Sequence, residues 1–180
     1  MSPLKPPNPC KVSVINKTEV NLNFTWKISN IMNRPHKKGD RIESESFSSG
    51  LDYGDEWCLL CYPHGITEED GDRVGIYILL KSSKKPIINA KFEVAVIDHC
   101  DDEYGERTIK CTSKVHPFAP GDDRGFSSFI NRDELLDILI IFEGLLIISC
   151  NLTIVEENDM RIDPKPQASV TLANQLGIFF

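Results

Sequence analysis

The chain has 180 residues, 41% of them hydrophobic, and a formal charge of −7 at pH 7. That length suits one domain with tails, and the apolar share is enough for a packed core. The acidic balance argues against a nucleic-acid binder, which needs a clustered excess of Lys and Arg to meet phosphates. No apolar run reaches the roughly 18–20 residues of a membrane-spanning helix; the longest, ILIIFEGLLIIS from Ile138 to Ser149, is interrupted by Glu143 and Gly144.

The N-terminus, MSPLKPPNPCK, lacks the apolar segment of a secretory signal. The six cysteines are therefore expected as reduced thiols, in the nucleus or cytoplasm. In that setting the glycosylation sequons at Asn16, Asn23 and Asn151 read as chance matches. Four prolines in the first ten residues predict a flexible or extended tail.

From Leu22 the pattern is that of a strand. In LNFTWKI, Leu22, Phe24, Trp26 and Ile28 fall on one face and Asn23, Thr25 and Lys27 on the other. RPHKKGD reads as a basic turn, and RIESESFSSG alternates again. EWCLLCYP and VGIYILLKSS read as buried strands on either side of the acidic loop HGITEEDGD. PIINAKFEVAVID predicts a further strand with Phe92, Val94 and Val96 on one side, HCDDEYGE a charged connection, and RTIKCTSKVHPF the approach to PGDDRGFSSFINRDELLD. There Asn131 is a good N-cap and Glu134 stands at the capping-box spacing, so a short helix is expected after Asn131, carrying Leu135, Leu136 and Ile138 inward. LLIISCNLTIVEE is the last strand. Seven or eight short strands with one helix, and no helices between strands, predict an all-β antiparallel sandwich.

No cofactor, metal or catalytic signature stands out. Cys58 and Cys61 form a CxxC, but positions i and i+3 of a strand face opposite ways, so core thiols are the better reading than zinc or redox chemistry. His36, His64, His99 and His116 sit in or beside turn-like sequence without an HExxH or similar context. The acidic loops do not follow the EF-hand ligand order, and no glycine-rich phosphate loop or GxSxG is present. A hydrolase has no motif to rest on. The ring-bearing residues Tyr77, Phe92, His116, Phe118 and Phe126 supply either core or a surface for an extended peptide.

The segments FTWKISNI, SESFSSG, EWCLLCYPHG, GIYILLKSS, AKFEVAVID and GFSSFINRDELLD, in this order, resemble a MATH (meprin and TRAF homology) domain of the speckle-type POZ protein kind, from about Leu22 to Val155. The resemblance implies an eight-stranded antiparallel β-sandwich over 20–158, after a tail (1–19). Residues 159–180 resemble the linker to a BTB domain, which is absent here. It further implies a non-enzymatic adaptor that captures extended Ser/Thr-containing protein segments for a cullin-RING ubiquitin ligase. The cullin contact would require a BTB domain, and neither nucleic acid nor membrane is an expected partner.

The binding positions implied by the resemblance are Tyr77, Phe92, His116, Phe118, Asp123, Arg124, Gly125 and Phe126. Two of these depart from the family pattern, His116 standing for a tyrosine and Arg124 for a tryptophan, and the neighbouring Asp122 stands for a lysine. Ser127 also stands where a lysine follows. Asp122 and Asp123 are expected to favour basic peptides, and Arg124 to stack or fork onto an anionic group. The alternative is a TRAF-like scaffold that oligomerises, although no heptad repeat precedes the domain.

Overall fold

A computed structural model of the chain describes residues 13–33, 37–96 and 109–161. Lys17–Glu156 make one compact unit; a second, residues 1–16 and 157–180, contributes to the described structure only the ends of two long strands. The proline-rich start, the HCDDEYGE connection, His36, His99 and the C-terminal linker lie outside the described residues.

Nine strands and one α-helix follow in order among the described residues: β1 (Ser13–Ser29), β2 (Ile42–Glu43), β3 (Glu56–Tyr62), β4 (Arg73–Ser82), β5 (Ile88–Val96), β6 (Ile109–Thr112), β7 (His116–Phe118), β8 (Asp123–Asn131), α1 (Arg132–Ile141) and β9 (Leu145–Arg161). They form two antiparallel sheets, β1-β9-β5-β6 with β7 also on β5, and β2-β3-β4-β8. β6 and β7 are one strand interrupted by a bulge. Both run along β5, Val94 facing Cys111 and Ala90 facing His116, with the register changed by one residue between them. At the break the Ser113 amide donates to the Phe92 carbonyl (2.7 Å) and the Phe92 amide donates to Ser113 Oγ (2.8 Å), so a side chain completes the ladder. Counted this way the sandwich has eight strands, four in each sheet. The β-sandwich fold expected from the alternation is the fold observed.

Period two decides what is buried. Along β5, Ile88, Ala90, Phe92, Val94 and Val96 point into the space between the sheets, where they meet Trp57, Leu59, Ile76 and Ile78 from the other sheet and Ile148, Cys150 and Leu152 from β9. Each fully buried Leu, Ile or Phe contributes about 1.5–3 kcal/mol to the folded state. β1 begins at Ser13, inside the segment expected as tail. The alternation that carries Leu22, Phe24 and Trp26 against the core runs back through Val20, and pairing with β9 satisfies the backbone of the extended strand.

The helix starts where its cap demands. Asn131 Oδ1 accepts from the Glu134 amide (2.8 Å), and Leu135, Ile138 and Leu139 are buried. Leu136, expected to point inward, is 38% exposed because it lies on the flank of the helix, about 100° round from Leu135. The helix ends in a tight turn with Glu143 and Gly144 both at positive φ (52° and 83°), which is where the long apolar run breaks.

Within β3 the CxxC splits as expected: Cys61 joins the inter-sheet core, whereas Cys58 lies on the outer face with Leu60 and Tyr62. Burial pushes the thiols of Cys61 and Cys150 up to about 12 and that of Cys58 to about 11, so they behave as apolar side chains. Deprotonation is thereby confined to the unfolded chain. Stability is expected to hold below pH 9, the ordinary thiol value, and to fall as pH rises from there toward 12. Urea titrations between pH 8 and 10.5 check the direction, with a Cys61→Ala/Cys150→Ala variant showing a shallower slope.

Asp55 is the buried acid among the described residues, at 0% exposure. Its carboxylate accepts from Trp57 Nε1 (2.5 Å), from the Ser49 amide (3.1 Å) and from the Ser49 hydroxyl, so it ties the core indole to the loop ahead of β3. Asp55→Ala leaves these donors without an acceptor and is expected to cost about 3 kcal/mol or more, measured by urea unfolding.

Candidate functional site

Five of the candidate residues, Tyr77, Asp123, Arg124, Gly125 and Phe126, meet where β4 and β8 pair. Ile76 faces Phe126, Tyr77 faces Gly125, Ile78 faces Arg124 and Leu79 faces Asp123. Because side chains alternate, Tyr77, Leu79, Gly125 and Asp123 belong to the outer face of the sheet, and Phe126 and Arg124 to the inner one. β8 is the last strand of its sheet, so its far edge is not paired in that sheet.

Gly125 makes the outer face possible. A Cβ built there would lie 2.2 Å from the Ile76 carbonyl oxygen and 2.5 Å from Tyr77 Cγ. The Tyr77 ring, half-buried, packs edge-on against Tyr62 at 5.5 Å. Burial, followed by the charges of Asp70 and Asp123, raises the Tyr77 hydroxyl above the usual phenol range, so it stays a neutral hydrogen-bonding group.

Beside Tyr77 the outer face sinks into a hollow of about 370 Å³ lined by Arg41, Glu43, Leu79, Lys81, Gly121 and Asp123. Glu43 and Lys81 pair across it at 2.8 Å, and this bond lowers the Glu43 carboxyl and raises the Lys81 ammonium. A hydrogen bond with Tyr62, then the charges of Glu43 and Asp123, raise the Arg41 guanidinium. The hollow therefore carries two cations and two carboxylates around a leucine. Sequence reading missed Arg41, Glu43 and Lys81. The alternation in RIESES and YILLK marks their faces, but only the cross-strand register brings them beside Asp123.

On the inner side the rings form a chain. Phe118 meets Trp57 edge-on at 5.2 Å, Phe92 lies 6.4 Å from Phe118 and 5.6 Å from Phe126, and Phe126 lies 6.3 Å from Phe129. Phe92 and Phe118, expected to line an open surface, are 2% and 0% exposed and belong to the core. Strand alternation aims both between the sheets, where the opposite sheet covers them. Phe126 is the half-buried member of the chain of rings, and His116, two residues before Phe118 and opposite Ala90, is half-buried as well.

The substituted charges are largely used within the loop. Arg124 Nη1 donates to the Asp123 carbonyl (2.6 Å), Nη2 lies 3.8 Å from Asp122 Oδ2, and the guanidinium stands 5.9 Å from the centre of the Phe118 ring. The Asp122 carboxylate also accepts from the Ala119 amide (3.1 Å), closing the turn. The acid and base at the altered positions thus offset one another, and Asp123 is left facing Arg41 and Lys81. Among the described residues no group of three or more His, Cys, Asp or Glu is placed to hold a metal ion, and no helix is long and apolar enough to cross a membrane.

Comparison with known families places residues 23–152 in the MATH domain family, and the chain belongs to it. That family makes the chain a protein-interaction module. The solved structure of Notothenia coriiceps TRAF5 is similar to it with a TM-score of 0.48 at 15% identity, over 79% of this chain and 75% of that one.

Gly125→Ala is expected to separate β4 from β8 or displace Tyr77, at a cost of about 1–3 kcal/mol. Thermal unfolding measures the loss, and the Tyr77 ring signals in an NMR spectrum should move with it.

Proposed function

We propose that the chain recognises extended, Ser/Thr-containing segments of other proteins along β8, as the substrate-capturing part of a cullin-RING ubiquitin ligase of the speckle-type POZ kind. The observation that carries this reading is the combination at one strand of an edge unpaired in its own sheet, a half-buried Phe126 on one side and Tyr77 beside Gly125 on the other. An incoming strand can hydrogen-bond to such an edge while its alternate side chains reach the two flanking surfaces. In this reading Tyr77, His116, Asp123, Arg124, Gly125 and Phe126 contact the peptide, and Phe92 and Phe118 support Phe126 from beneath.

Specificity differs from that of a domain with tryptophan and lysines at the altered positions. With Arg124 turned back onto Asp122 and the Asp123 carbonyl, the loop offers little free positive charge. Asp123 gives basic residues of a peptide something to meet. The ligase role rests on the resemblance, and the cullin contact would fall to a BTB domain joined to this module.

A peptide array of Ser/Thr-containing segments led by an apolar residue, with Lys, Glu or neutral flanks, tests the reading. Selection of the lysine-flanked set is expected, with Tyr77→Ala weakening binding about tenfold or more. Indifference of binding to Tyr77→Ala would remove the site. Selection of the same sequences as a MATH domain with tryptophan and lysines at those positions would remove the altered specificity. Arg124→Trp with Asp122→Lys should shift the preference back toward acidic flanks.

A further inference from the structure

The exposed side of α1 uses none of the residues assigned to the β8 edge. Leu135, Ile138 and Leu139 turn to the core, whereas Ile140 is 77% exposed, Ile141 50% and Leu136 38%. These are the opposite of what a helix flanking a soluble sandwich places outward. Leu136 and Ile140 also border a hollow of about 190 Å³, closed on its other sides by Asn30, Ile31, Met32, Leu139 and Gly144. A cavity of about 150 Å³ holds a benzene molecule, so this one accommodates a single leucine, methionine or phenylalanine side chain.

The hollow is preformed. Asn30, at φ 55°, donates from its amide to the Gly144 carbonyl (3.0 Å), and the Gly144 amide donates to the Leu139 carbonyl (2.7 Å), so the turn before β9 and the short 3-10 turn Ile31–Asn33 are fastened together. Charge then says what enters. Asp133 and Asp137, one helical turn apart, run alongside the Leu136–Ile140 stripe, and Glu143 follows the end of the helix; all three are exposed. None of the three has an ion-pair partner among the described residues. The base on the helix, Arg132, is turned to His64 at 3.0 Å.

We infer that this face of α1 docks a protein segment that places an apolar side chain in the hollow and Lys or Arg residues against Asp133, Asp137 and Glu143. The acidic rim selects against two other occupants of an apolar face. Membrane surfaces with anionic headgroups are met by Lys and Arg, not by carboxylates. A second copy joined symmetrically through the same face would bring the three acids against themselves.

The test uses the full chain, labelled with nitrogen-15, and a synthetic 15-residue amphipathic peptide of leucine and lysine, in salt near physiological strength. Amide signals of Met32, Leu136, Ile140 and Gly144 are expected to move most. Ile140→Glu, at an exposed position that leaves the fold intact, should weaken the peptide about tenfold or more. Asp133→Lys with Asp137→Lys should reverse the preference, so that the same peptide with glutamate for lysine binds better. The inference is overturned by equal binding of the glutamate peptide to the unaltered chain, by signal changes centred elsewhere, or by affinity unchanged in both variants. It is likewise overturned if the Ile140 signals broaden with protein concentration alone, which identifies a second copy, or if the chain sediments with phosphatidylserine vesicles through this helix.

Discussion

The register between β4 and β8 governs everything this molecule presents along its sheet edge. With Tyr77 opposite Gly125, a ring crosses a strand at the one position that lacks a side chain. The neighbouring pairs then send Ile76, Ile78 and Phe126 inward and Leu79 and Asp123 outward. A slip of one residue would turn Phe126 to solvent and drive Asp123 into the core, which costs far more than the hydrogen bonds at stake. The glycine therefore fixes the register by exclusion: any larger residue at that position collides with backbone as well as with the ring.

That arrangement separates support from contact. Phe92 and Phe118 hold Phe126 from below through ring packing, while the residues able to touch another chain are the half-buried and exposed ones around β8. The same separation appears in the charges. Asp122 completes a turn and holds Arg124, so the two altered positions largely cancel locally, whereas Asp123 acts in company with Arg41, Glu43 and Lys81. Such exposed pairs contribute little to stability, on the order of 0–1 kcal/mol. In the proposed reading their arrangement bears on which partner is accepted more than on whether the domain folds.

Much of the fold could be read from local pattern because its causes are local. Leu22, Phe24, Trp26 and Ile28 announce a strand by their spacing, Asn131 and Glu134 announce a helix start, and the CxxC reveals its two faces once its strand is recognised. The candidate site was legible only in part. Alternation puts Phe92 and Phe118 on a face but is silent on how far the opposing sheet extends over it, so their depth was misjudged. Leu136 was assigned inward because Leu135, Leu136 and Ile138 alone do not state the phase of a ten-residue helix. The hollow around Leu79 depends on pairing between segments nearly 40 to 80 residues apart in sequence, from Arg41 to Lys81 and Asp123, which no short window contains.

The chain of rings reaching from Phe126 through Phe92 and Phe118 to Trp57 has an optical consequence. Each aromatic group in it lies in the asymmetric electrostatic surroundings of the next, and the indole at the far end is clamped by the Asp55 carboxylate. Movement of the half-buried Phe126 ring changes the environment of its neighbours, so the near-ultraviolet circular dichroism of the domain registers a displacement of that ring without any label attached.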